Sequence, residues 1–176
     1  MDGMAAIVRD KSAWVAAEHA TGTSWLYELT AADLVEIAAA VDDLKLKGLR
    51  PPGFTVADFH IPELAKRLAV FARELEHGRG FFLLRGLPVE TYDLDTIKTI
   101  YWGIGVHLGV PVFQNKRGDL MTHVADQGDD YDDVNIRLYT TAAAANPHND
   151  PSDVVGLLCI RKSVEGGRSM IASATL

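Results

Sequence analysis

Thiol chemistry is almost absent from this 176-residue sequence. Cys159 is its one cysteine, so no intrachain disulfide can form, and a reducing compartment, the cytoplasm, is the expected setting. Cys159 lies in the apolar run 154–160, where a small buried core residue is the expected role. Basic excess is missing as well. With 17 Lys and Arg against 24 Asp and Glu, the net charge is −7 and the pI about 5.3, which argues against nucleic acid, since phosphate binding wants clustered positive charge. No stretch approaches 18 uncharged apolar residues, so no transmembrane helix is expected. The start, MDGMAAIVRDKSAW, has no basic region followed by an apolar core, so no secretory signal is expected either. Internal repeats are absent. What is present, 48% hydrophobic and 23% charged residues, suits a single globular domain with a sizeable core and points to small-molecule chemistry.

Residues 30–47 carry Leu34, Ile37, Ala38, Val41 and Leu44 at helical spacing, with Asp33 near the start and Lys45, Lys47 and Gly48 at the end, as the helix dipole favours. Arg50-Pro51-Pro52-Gly53 reads as a turn or short linker. A second helix is opened by Pro62 and Glu63 and stopped by Gly78, with Leu64, Leu68, Phe71 and Leu75 as its buried stripe. A third runs from Asp93 to about His107, with Ile97, Ile100, Tyr101 and Ile104 on one face. Gly103 and Gly105 weaken its later turn by roughly 1 kcal/mol each relative to alanine. Between the second and third helices, the glycine-bounded aromatic and aliphatic run 80–85 suggests a buried strand, and further strands are expected at 136–140, 154–160 and 169–173.

Residues 126–133 hold five aspartates in eight positions. A calcium loop needs ligands at alternate positions, a central glycine and a closing glutamate, and that spacing is not met, so a solvated loop is expected.

The run Asn146-Pro147-His148-Asn149-Asp150 carries the most chemistry. A histidine and a carboxylate at i and i+2 on an extended segment project to the same side, so one imidazole nitrogen and one carboxylate oxygen can reach a single cation. The two-histidine, one-carboxylate site of non-haem Fe(II) oxygenases needs such a pair plus one more histidine from far along the chain. No histidine follows His148. The triplet alone is more commonly a histidine that caps a turn or bonds a carbonyl, and both readings stay open at this level.

Five ordered blocks bear on the choice: GRGFFLLRGLP (78–88), YWGIGVHLGVPVFQN (101–115), IRLYTT (136–141), PHNDPSDVVGLLCIRK (147–162) and GGRSMIAS (166–173). Together they resemble the TauD/TfdA family of Fe(II)- and 2-oxoglutarate-dependent dioxygenases, from about Trp25 onward. The resemblance implies that His148 and Asp150 ligate Fe(II) and that Ser169, after the paired glycines, helps bind the carboxylate of the cosubstrate 2-oxoglutarate. It implies hydroxylation of a small organic substrate with release of succinate and carbon dioxide. Asn115, Arg137 and Tyr139 fall in family-like blocks near the expected pocket, and Asn146 is placed to brace His148; for each, a structural role in strand or turn is equally open. His107 and His123 are the available substitutes for a third ligand, against a purely structural role.

The same resemblance implies an α+β fold, with N-terminal helices followed by part of a double-stranded β-helix (a cupin-like jelly roll) that is incomplete in this sequence. The chain is expected to be one domain over 1–176, mainly helical over 1–78, with the first part of the jelly-roll core over 79–176. Family members continue further and there supply the distal metal histidine and an arginine for the far carboxylate of 2-oxoglutarate. The chain is accordingly expected to be truncated before that histidine. Three readings follow: an active oxygenase, a non-catalytic remnant, or one half of a split oxygenase that self-associates or joins a complementary chain.

Overall fold

Thr30 and Asp33 open the first long helix by satisfying each other. The Asp33 amide donates to Thr30 Oγ1 at 3.2 Å while the Thr30 amide and hydroxyl donate to Asp33 Oδ2 at 2.8 and 2.7 Å, a complete capping box. The computed structural model describes residues 9–124 and 146–175. Within them the order is a one-turn helix α1 (Ala16–His19), strand β1 (Leu26–Glu28), helices α2 (Ala31–Leu46) and α3 (Pro62–His77), strand β2 (Leu83–Arg85), a 3-10 turn (Val89–Thr91) and helix α4 (Leu94–Val106). The chain divides into two compact units, Met1–Val110 with Gly156–Leu176, and Pro111–Val155.

The three long helices match their sequence signals. α4 is capped by the Asp93 carboxylate, which accepts from the Thr96 amide at 2.7 Å. α3 starts at Pro62 but its preceding residue, Ile61, has no capping side chain. Glu36 of α2 takes that part: its two carboxylate oxygens accept from the amides of Glu63 and Leu64 at 3.1 and 3.0 Å. A helix N-terminus favours negative charge there, so the contact both caps α3 and docks it on α2.

α2 packs against both α3 and α4. Ile37, Val41 and Leu44 of α2, Leu64 and Leu68 of α3, and Ile97, Ile100 and Trp102 of α4 form the core, closed by Phe54, Phe59 and Ile61 from the connection between α2 and α3. That connection is tied down by two ring donors: Trp102 Nε1 to the Phe54 carbonyl (3.1 Å) and His107 Nε2 to the Phe59 carbonyl (2.9 Å). Gly103 is explained here. A Cβ at this position would stand 2.5 Å from the buried Phe59 ring, so glycine lets the helix reach the ring, whereas Gly105 faces open space.

β1 and β2 pair in parallel, Leu26 with Leu83, Tyr27 with Leu84 and Glu28 with Arg85, and the crossover that parallel strands require is made by α2 and α3. Arg85 Nε donates to Glu28 Oε1 at 2.6 Å across this pair. The strand expected over 80–85 is therefore shorter. Phe81 and Phe82 precede the ladder and instead stack with neighbours, Phe82 on Phe71 (centroids 4.6 Å apart) and Phe81 against Trp14 (5.2 Å).

Other strand expectations fare differently. Residues 154–160 and 169–173 form no ladder among the described residues, and 136–140 lies outside them, as does the acidic run 126–133. An extended segment becomes a strand only when a neighbour accepts its backbone bonds. With none beside 154–160 among the described residues, the expectation that Cys159 is buried also fails: Cys159 is exposed, as is Leu157 at 72%.

Tyr27, Thr30 and Arg67 converge on Asp33, a carboxylate only 3% exposed. Tyr27 Oη donates to Oδ2 at 2.8 Å, and Arg67 Nε lies 3.9 Å from Oδ1 with its guanidinium 5.1 Å from the Tyr27 ring centroid. Burial, the largest single influence, pushes the Asp33 pKa up, but the bonds from Thr30 and Tyr27 and the charge of Arg67 together hold it below its ordinary value. Because the folded pKa is the lower one, the stabilisation is present above the unfolded value near 3.8 and lost as pH falls through the folded value.

Two stability tests follow. Asp33→Asn is expected to cost about 1–3 kcal/mol at pH 7 in urea unfolding, and its deficit against the wild type should narrow as pH drops below 4; a deficit independent of pH would contradict the ionic role. Gly103→Ala should destabilise by about 1–3 kcal/mol through collision with Phe59, while Gly105→Ala should be neutral or stabilising by up to about 1 kcal/mol, both read by thermal melting.

Candidate metal centre

Asn146 and Asp150 each precede a proline, Pro147 and Pro151. Proline disfavours the helical region for the residue before it, so both are pushed towards extended backbone. This keeps the segment free of helix, and no regular element is found over 146–155. His148 and Asp150 project to one side, with His148 Nε2 3.8 Å from Asp150 Oδ1 and the two side chains 57% and 48% exposed.

The imidazole is oriented from behind. His148 Nδ1 lies 2.7 Å from the main-chain carbonyl of Asn146. A carbonyl only accepts, so Nδ1 carries the proton and the lone pair of the neutral ring sits on Nε2, the nitrogen facing Asp150. This is the arrangement by which metal-binding histidines are commonly held. It joins the two roles the sequence left open, since a histidine bonded to a carbonyl is also one prepared to ligate.

The residues fit part of a metal site. Donors about 2.1 Å from one ion stand roughly 3.0–3.4 Å apart at coordination angles of about 90–110°, so the 3.8 Å separation would close by roughly half an ångström around an ion. One donor is a neutral nitrogen and the other an anionic oxygen, a set suited to divalent iron. No group of three or more His, Cys, Asp or Glu gathers to hold a metal among the described residues.

The remaining candidates are placed as follows. Asn146 acts through its backbone. Asn115 organises the turn at 114–119: its Oδ1 accepts from the amides of Arg117 (2.9 Å) and Asp119 (3.2 Å), and its Nδ2 donates to Asp119 Oδ2 (2.6 Å). Ser169 is exposed, follows Gly166 and Gly167, both at positive φ, and belongs to the unit that contains Met1–Val110. Arg137 and Tyr139 lie outside the described residues. His107 is engaged by the Phe59 carbonyl and His123 is exposed. One contact had no sequence signal: Tyr101 Oη donates to the Gly156 carbonyl at 2.5 Å. Fifty-five residues separate the two, and no spacing rule links them.

The model of the taurine catabolism dioxygenase TauD, TfdA family matches residues 45–176, well over half of the sequence. The chain belongs to the TauD/TfdA family. Its relatives in that direction include the FR-33289 synthase of Streptomyces rubellomurinus, 30% identical over 95% of this chain and 50% of the relative. The taurine hydroxylase-like protein SAT17 of Stachybotrys chartarum is 25% identical over 97% of this chain and 46% of the relative. The chain thus spans about half the length of the relatives it matches. The TauD/TfdA match includes His148, Asp150 and Ser169 as well as α3, β2 and α4. No helix of the described residues is long and apolar enough to cross a membrane.

The tautomer can be checked directly. Neutral His148 is expected to carry its proton on Nδ1, read from long-range 15N–1H correlations of the imidazole; a proton on Nε2 would mean that the Asn146 carbonyl does not orient the ring.

Proposed function

We propose that this chain carries two iron ligands and part of the cosubstrate site of an Fe(II)- and 2-oxoglutarate-dependent dioxygenase that hydroxylates a small organic substrate, releasing succinate and carbon dioxide. The observation that carries the reading is the His148–Asp150 pair, 3.8 Å apart with Nδ1 of the histidine tied to a carbonyl, inside the stretch that matches a dioxygenase family. Bound iron would supply the activation of oxygen against the cosubstrate. The residues of the chain do the rest of the work assigned here. His148 Nε2 offers a neutral lone pair and Asp150 Oδ1 a negative oxygen. The Asn146 carbonyl holds the imidazole in the ligating tautomer. Ser169 donates its hydroxyl to a carboxylate of 2-oxoglutarate.

Residues 79–176 are assigned to the first part of a jelly-roll core in a single TauD/TfdA domain. Support comes from family membership and from the apolar side chains exposed along the segments expected to be strands, Leu157 at 72% and Met170 at 91% among them. The net charge of −7 speaks against nucleic acid as a partner, and the lone Cys159 suits the cytoplasm. A second reading has its own observation. No third ligand gathers with the pair among the described residues, and the relatives are about twice as long. On that reading these 176 residues alone hold an incomplete iron site and are inactive until further residues complete it.

Succinate formed from 2-oxoglutarate by the purified chain with Fe(II) and ascorbate tests both readings, beside a His148→Ala control. The expected result is little or no turnover by the chain alone, with weak Fe(II) binding that drops at least about tenfold in His148→Ala or Asp150→Ala. Clear turnover lost in His148→Ala would show that the chain completes its own site. Fe(II) binding unchanged in both variants would sink the iron assignment.

A further inference from the structure

Tyr101 stands on the last turns of α4, a helix held rigid by Ile97, Ile100 and Trp102 in the core and by the fit of Gly103 against Phe59. From that base its hydroxyl donates to the Gly156 carbonyl at 2.5 Å. Gly156 admits the phenol because it has no side chain: a Cβ there would stand 2.9 Å from the Tyr101 oxygen, tighter than real contacts allow. Burial pushes the Tyr101 pKa up, so the phenol stays a donor across the physiological range.

Among the described residues this is the first hydrogen bond to a distant part of the chain after Asp150. Ser152 bonds only locally among the described residues, to the Val154 carbonyl, and Cys159 only to the Arg161 carbonyl. The next distant attachment comes at Ser173, whose hydroxyl donates to the Ser12 carbonyl at 2.6 Å. Five residues, 151–155, separate Asp150 from the pinned carbonyl, a length that spans no more than about 18 Å when fully extended. A segment held at such short range samples fewer conformations than one held only at its far end. Binding a cation to side chains on it therefore loses less conformational freedom.

We infer that Tyr101 is a positioning residue for the His148–Asp150 pair, raising its metal affinity by pinning the chain at Gly156. The inference rests on the iron-pair reading above. Tyr101 does not touch the metal, and its hydroxyl is the whole of the device.

The test is a Co(II) titration of the full 176-residue chain, followed by calorimetry and by the visible ligand-field spectrum, for the wild type and for Tyr101→Phe, Gly156→Ala, the double variant and His148→Ala. One hydrogen bond of ordinary net strength corresponds to an expected weakening of about three- to tenfold in Tyr101→Phe. Gly156→Ala should weaken binding to a similar degree by displacing the phenol, and the double variant should be no weaker than either single one, because both remove the same contact. Amide hydrogen exchange over 154–158 should quicken in all three while the melting temperature shifts little. His148→Ala should abolish binding and its spectrum. Tyr101→Phe binding Co(II) like the wild type, with His148→Ala still dead, would overturn the positioning role and leave the iron pair standing. Wild-type and His148→Ala chains that bind alike, or not at all, would overturn the iron pair and the positioning role with it, reducing Tyr101 to a structural contact visible only in the exchange data.

Discussion

A single buried carboxylate organises the larger unit. Asp33 lies where β1, the start of α2 and the flank of α3 meet, and it takes a bond or a charge from each through Tyr27, Thr30 and Arg67. A lone ionised group in such a place would be strongly unfavourable, and it is tolerable because Oδ2 accepts from Tyr27 and from the amide and hydroxyl of Thr30 while the Arg67 charge lies 3.9 Å from Oδ1. Glu36, one turn further along, holds the N-terminus of α3 by two amides. One face of α2 thus fixes the seat of α3 with polar contacts, while the neighbouring face of Ile37, Val41 and Leu44 is buried in the apolar core. The polar pair sets position, and the apolar face supplies most of the favourable free energy.

What could be read from sequence divides along local and non-local physics. The three long helices end within about a residue of the expected bounds because their signals are local: Thr30 and Asp93 as caps, Pro62 at a first helical position, Gly78 as a stop. Strands were harder. Residues 26–28 carry no usable period in so short a run, and 154–160 looks like a strand by composition yet has no pairing neighbour among the described residues. A ladder depends on a second segment that composition cannot name. The same division explains Glu36 and Gly103, whose roles depend on partners 27 and 44 residues away.

The candidate centre was legible to the extent that it is local. His148 and Asp150 come together because they are two residues apart on a segment that flanking prolines keep out of helix, and the Asn146 carbonyl is two residues upstream. Ser169 was reached only through likeness to a family, and Tyr101 was not reached at all, since its contact joins residues that only the tertiary fold brings together.

The parallel pairing of β1 with β2 also carries a consequence for the order of folding. Glu28 and Arg85 are 57 residues apart, and closing a loop of that length costs roughly 3–4 kcal/mol in chain entropy from the length term alone. Three residue pairs, each contributing about 0.5–1.5 kcal/mol net, barely offset it. The ladder therefore cannot nucleate the domain. It forms once α2 and α3 have met through Glu36 and their apolar faces, when most of the intervening loop has already been closed by helix packing, and the small sheet is a late product of the helical core.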